Sequence, residues 1–173
     1  MGTAIDCCII AYLNYDYSNK FDSSHENFEQ IFAVESVENY NDREQPFAIA
    51  PMPFTDMVRE QVSGVESVVR TLPEFASVKI GEDVFATNVM YVDPEFFEVF
   101  TVPLIKGDPD AINKTQQIYI TEEAAEKIFG NEDPLGKQID HIIRDEPRSY
   151  VVAGILEKFP PNSSFSFVET IVS

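Results

Sequence analysis

The chain has 173 residues, with 30 Asp or Glu against 12 Lys or Arg for a formal charge of −18. That length suits one compact domain or two small lobes, and a chain of this size hides roughly 70% of its unfolded surface without a metal or disulfide staple. The charge excludes nucleic acid as a partner and disfavours flat contact with anionic lipid, while 44% hydrophobic and 12% aromatic content exclude a disordered chain.

Residues 4–22 read as a helix carrying Ile5, Ile9, Leu13 and Tyr17 four apart. Its apolar run from Cys7 to Leu13 grades into Asn14-Tyr15-Asp16-Tyr17. Two readings stand side by side: the outer end of a membrane helix where it meets water, or an amphipathic helix packed on the core. No stretch reaches the roughly 20 apolar residues of a span, and the start lacks the features of a signal peptide. Cys7 and Cys8 are neighbours, so a disulfide between them is strained and closes no useful loop.

Gln30–Val37 alternates like a strand, and polar Glu38–Gln45 reads as a loop. Pro51 and Pro53 pre-set a helix start, followed by Phe54, Met57, Val58, Gln61 and Val62 at helical spacing, with Gly64 as the stop. Val65–Phe75 and Val78–Asn88 read as strands, with Gly81-Glu82-Asp83 as a turn. Asp93-Pro94-Glu95 signals a short helix, Asp93 as its N-cap acid, burying Phe96, Phe97 and Phe100 as core. Gln117–Thr121 is a strand running into the helix Glu122–Phe129, whose two leading acids suit the helix dipole and which Gly130 ends. Lys137–Ile143 and Ser149–Leu156 are paired strands about the turn Arg144-Asp145-Glu146-Pro147. Phe159-Pro160-Pro161-Asn162-Ser163 is a loop, and Phe165–Val172 is a last apolar stretch.

Reactive constellations are not predicted. His25 and His141 stand apart with no local Cys partners, so no zinc set is expected. The stretch Gly130 to Lys137 imitates a phosphate loop, but five residues separate its glycines where four are needed, and Gln138 stands where Ser or Thr would hold magnesium. Gly107-Asp108-Pro109-Asp110 opens like a calcium loop, yet no later ligands continue it, so a turn is expected. There is no G-x-S-x-G elbow. The expectation is therefore no catalytic, metal or cofactor residue. On the residues alone, a ligand-sensing receptor domain with a deep pocket, or a hydrolase with paired acids in a cleft, stay open.

The ordered motifs carry more. Phe21-Asp22 with His25-Glu26-Asn27, then Val92 to Phe100, Leu104 to Pro109, Ile120 to Lys137, Tyr150 to Leu156, and Phe159-Pro160 with Asn162-Ser163-Ser164-Phe165 resemble the MacB-like periplasmic core domain. That is the extracytoplasmic domain of MacB/FtsX-type ABC transporter permeases, and the likeness is strongest to those of Bacteroidetes-type bacteria. The resemblance implies an α+β, two-lobed periplasmic domain with a porter-like lobe and a smaller inserted lobe. It assigns 1–22 to the remnant of a first membrane helix, 23–79 with 150–173 to the membrane-proximal lobe, and 80–149 to the inserted distal lobe. Its structural motif residues fall here on Asp93, Pro94, Phe96, Phe97, Gly107, Asp108, Phe129, Gly130, Pro134, Gly136, Lys137, Gly154 and Pro160. It further implies a non-catalytic transmitter of helix motion at the periplasmic face of the inner membrane. The partners would be a cytoplasmic ATPase, reached through membrane helices of the intact protein, and a periplasmic adaptor or cargo. Asp6, a charge unwelcome in lipid, departs from that pattern.

Overall fold

The computed structural model describes residues 2–40, 43–47, 49–143 and 146–173. A helix, α1 (Gly2–Asn19), leads through a 3-10 turn at Phe28–Gln30 to a two-stranded antiparallel sheet of β1 (Ser36–Tyr40) and β2 (Arg43–Phe47). Helix α2 (Phe54–Gln61) follows, then β3 (Thr71–Ile80), β4 (Asp83–Val92), α3 (Phe96–Val99) and β5 (Leu104–Gly107). After a 3-10 turn at Pro109–Asn113 come β6 (Gln117–Thr121), α4 (Glu122–Phe129), β7 (Gln138–Ile143), β8 (Glu146–Leu156) and β9 (Thr170–Val172). This is an α+β fold, as expected.

Seven strands form one sheet in the order β5-β8-β6-β9-β4-β3-β7, and β7 also pairs with β8. The pairing therefore runs round a closed circuit, with β5 outside it. Strand β8 makes this possible by length: Glu146–Val151 pairs antiparallel with β7, while Val151–Leu156 runs parallel to β6. Strands β3 and β4 join across residue 80 and β8 crosses residue 149, so both expected lobes feed the same sheet.

Alternation along the strands feeds two cores, because successive side chains point to opposite faces. Ala76, Val78, Val89, Ile118, Ile139, Tyr150, Val152 and Val172, from all six circuit strands, share one cluster with Ala124, Ala125 and Ile128 of α4. Met90, Tyr119, Leu156 and Ile171 turn the other way, onto Phe96, Ile112, Phe159, Phe165 and Val168. Both faces of β6 are buried, which is why its sequence QIYIT is nearly all apolar. Full burial of Phe96 alone is worth about 3 kcal/mol.

Local signals place α4 well. Thr121 accepts a hydrogen bond from the Ala124 amide at 3.3 Å, and Gly130 ends the helix at φ +61. Three expectations are corrected. Residues 31–35 are irregular and the strand begins only at Ser36, while the expected loop 38–45 holds a strand pair in the register Ser36↔Phe47 to Tyr40↔Arg43. Residues 41 and 42 within it, and 144 and 145 of the second expected turn, lie outside the described residues. The strands expected at 65–75 and 78–88 are one hairpin, 71–80 with 83–92, about the expected glycine turn. Pro73 is tolerated in β3 because β7 reaches only Ser77 to Lys79, leaving that edge unpaired.

His141 on β7 is fully buried, and neither ring nitrogen has a hydrogen-bond partner among the described residues. Its ring meets Tyr150 edge-on at 5.6 Å. Burial pushes its pKa down to about 4. Between that value and the ordinary 6.5, the unfolded chain takes up a proton that the folded chain refuses. Folding stability is therefore expected to fall by up to about 3 kcal/mol as pH drops from 6.5 towards 4, and to be untouched by this group above 6.5. Urea unfolding across that range should show a shallower acid loss for His141→Leu than for the parent.

Candidate functional site at the root of the N-terminal helix

Helix α1 stands bare. Ile5, Ile9, Ile10, Tyr12 and Leu13 are 52–66% exposed, so this helix is not one packed by an apolar face onto the core. Among the described residues no helix is long and apolar enough to cross a membrane.

What holds the helix is its last turn and the seven residues after it. The Tyr17 hydroxyl donates to the Pro161 carbonyl at 2.8 Å. The Asp22 amide donates to the Asn162 carbonyl at 2.8 Å, and the Asn162 side chain donates back to the Lys20 carbonyl at 2.5 Å. Both Asp22 carboxylate oxygens are used by Ser164: Oδ1 accepts from its amide at 2.6 Å and Oδ2 from its hydroxyl at 2.5 Å. Such charge-assisted bonds are roughly twice as strong as neutral ones. Next, the Glu26 amide donates to Thr101 Oγ1 at 2.9 Å. His25 is buried between the ring edges of Phe100 and Phe165, at 5.2 and 5.9 Å.

The expected motif residues fall into three groups. Phe96 and Phe97 build the floor under the helix root: Phe96 packs on Phe100 at 5.0 Å and Phe165 at 5.3 Å, and Phe97 meets Tyr119 at 4.9 Å. Pro160, half-buried in the clamping loop, accepts the Ser163 amide at 3.0 Å. Pro94 is exposed in the turn before α3. Asp93 is not an N-cap; the cap position is Glu95, and the Asp93 side chain turns instead to Arg70. Its Oδ1 accepts from Arg70 Nη2 at 2.8 Å and its Oδ2 from Arg70 Nε at 2.9 Å. Burial raises this carboxyl's pKa, but the hydrogen bonds and charge of Arg70 outweigh it and hold it below the usual range.

In the second group Gly107 faces Gly154 across the β5–β8 pair. Gly107 has φ +112, and a Cβ there would stand 2.2 Å from the Ala153 carbonyl oxygen. Asp108 caps the following 3-10 turn through the Asp110 amide at 3.0 Å, and its carbonyl accepts the Tyr119 hydroxyl at 2.7 Å. The third group is a strap from α4 to β7. Lys137 Nζ sits 5.1 Å from the Phe129 ring and pairs with Glu132, and Pro134 is buried. The Gly136 amide donates to the Val152 carbonyl at 2.9 Å. Gly130, at φ +61, is the first residue of this strap.

Tyr17, Asp22, Asn162 and Ser164 were absent from the expected set. For Asp22, Asn162 and Ser164 the signal lay in two motifs, Phe21 to Asn27 and Phe159 to Phe165, which meet here, whereas Tyr17 lies outside both. An open groove of about 390 Å³ runs along Ile5, Cys8, Ile9 and Tyr12, and a hollow of about 300 Å³ lies between Arg59, Val68 and Glu95. Among the described residues no cluster of three or more His, Cys, Asp or Glu is placed to hold a metal.

The family model of the MacB-like periplasmic core domain matches residues 7–172. The chain belongs to this family. The family is that of periplasmic core domains like the one in MacB. Its fold is similar to that of a domain described as from a permease protein of Porphyromonas gingivalis, with TM-score 0.65 and 24% identity over 80% of this chain and 59% of that one. The periplasmic region of MacB from Actinobacillus actinomycetemcomitans gives 0.57 and 22%, over 85% of this chain and 68% of that one. The extracellular domain of the noncanonic ABC-type transporter YknZ from Gram-positive bacteria gives 0.51 and 20%, over 65% and 57%. The chain thus spans less than two thirds of the Porphyromonas and YknZ chains. No curated protein matches it.

Two substitutions probe the family motifs. Gly107→Ala should cost about 3 kcal/mol in urea unfolding, since it adds overpacking to backbone strain. Gly64→Ala, at φ +88 with nothing within 4 Å, should cost only about 1 kcal/mol. Asp93→Ala should cost about 1 kcal/mol, because the half-exposed Arg70 left behind is solvated, whereas Arg70→Ala should cost about 2 kcal/mol by leaving the mostly buried Asp93 carboxylate without its guanidinium, and the double variant no more than Arg70→Ala.

Proposed function

We propose that this domain is a non-catalytic transmitter: movement of a membrane helix continuous with α1 is passed through the clamp at its root to the sheet, and from there to an envelope partner. The observation that carries the reading is the contrast at the N-terminus. A helix with no packed face is fastened at its final turn to a loop 142 residues away in sequence. A lever needs that arrangement, free along its length and rigid at its fulcrum.

In this reading residues 1–22 are the stalk, 23–79 with 150–173 lie towards the membrane, and 80–149 lie away from it. The shared sheet supports their moving as one body. A cytoplasmic ATPase would drive the helix, and the partner outside would be an adaptor or a cargo protein. No step of this scheme asks for chemistry from the domain itself.

The test is a flexible insertion. Four Gly/Ser residues between Asn19 and Lys20 of the intact permease should leave the domain folded and ATP hydrolysis in place, while export falls at least tenfold. Undiminished export with the insertion would sink the proposal. Calorimetry of the isolated domain with ATP should show no binding tighter than millimolar.

A further inference from the structure

We infer that Asp22 is the positioning residue of the helix root and works as a two-state joint. Docked on Ser164, it holds the chain in a left-handed turn; undocked, it lets the backbone beyond Asn19 run on as helix. The inference rests on the transmission reading and deepens it.

Three observations converge. First, Asp22 sits at φ +55, a conformation that only Gln116 shares among the described non-glycine residues. Most L side chains avoid this region; Asp is among the few that visit it, so the turn is accessible but needs contacts to hold it. Second, the local sequence does not fix it. From Tyr17 to Asn27 there is no Gly and no Pro, so neither the usual left-handed stop nor a helix breaker is present. Every long-range hydrogen bond made by Tyr17, Lys20 and Asp22 goes to Pro161, Asn162 or Ser164. Local bonds from the Ser23 amide and hydroxyl to the Lys20 carbonyl close the helix end, and the loop fixes the turn at Asp22 beyond it. Third, the docked state seats His25 among Phe100 and Phe165 with neither ring nitrogen hydrogen-bonded among the described residues. A buried polar ring without partners is costly. Undocking returns it to water, which offsets part of what the Asp22–Ser164 bonds contribute. The two states are thereby brought closer in free energy than a plain structural contact would leave them.

The hydroxyl and amide of Ser164 recognise the carboxylate together, so the variants separate geometry from charge. Amide hydrogen exchange on the 173-residue chain reads the joint locally, with protection in β6 and β8 as the control for folding. Asp22→Ala should speed exchange at residues 20–26 at least tenfold and leave β6 unchanged. Asp22→Asn should stay close to the parent, because Asn tolerates the left-handed turn and its amide oxygen still accepts from the Ser164 amide. Asp22→Gly is the decisive variant: it fits φ +55 without strain but offers no carboxylate, and should be as loose as Asp22→Ala. Ser164→Ala should fall between. Parent-like exchange at 20–26 in Asp22→Ala, or full protection in Asp22→Gly, overturns the joint. Since no transport enters this readout, that failure would leave transmission standing, whereas failure of the insertion experiment would remove transmission and leave the joint.

Discussion

Strand β8 is the constraint on which the fold depends. Its first residues close the circuit against β7 while its last ones lie between β5 and β6. A register shift opposite Ile118 and Tyr119 lets one strand serve both halves. A bulge of this kind bends and twists the strand locally. Only because β8 bends can the six circuit strands enclose one apolar cluster and present a second face to α3 and the loop at 159–168. The clamp on the helix root is built on that second face, so the orientation of α1 is set by the far side of the barrel-like sheet.

The legibility of this architecture followed the range of the interactions. Residues 117–130 were readable because every signal there is local: an apolar strand, Thr121 as cap, acids in the first turn, glycine at the end. The β1–β2 pair was not, since its residues are polar and exposed and are held by backbone pairing without a buried face. Asp93 was misread for the opposite reason. Asp-Pro-Glu is as good a helix start as any sequence offers, and only Arg70, 23 residues upstream, draws the carboxylate away. At the candidate site the motif string brought the right segments into view without saying that they touch. Asp22 and Ser164 carry no mutual periodicity, and their meeting is a product of the whole sheet's closure.

Family membership and the geometry of the helix root bear on one another. The route from the helix root to the sheet is short. It runs from Tyr17 and Asp22 into the Pro160–Ser164 turn, then through Phe165 and Val168 to β9, which lies between β4 and β6 near the middle of the sheet. Each link is either a hydrogen bond under 3 Å or a packed apolar contact.

Closure of the sheet also decides where this domain is adhesive. A ring leaves few strand edges to recruit foreign backbone, and besides the Thr71–Ala76 stretch of β3, which carries Pro73, the described strands unpaired along one side include the four-residue β5 and the β1–β2 arm. Both carry the features that blunt such edges: Lys106 in the first, and Glu38, Arg43, Glu44 and Pro46 in the second. Extension of one copy's sheet into the next is thus opposed, at the edges the ring leaves open, by a handful of charges and prolines.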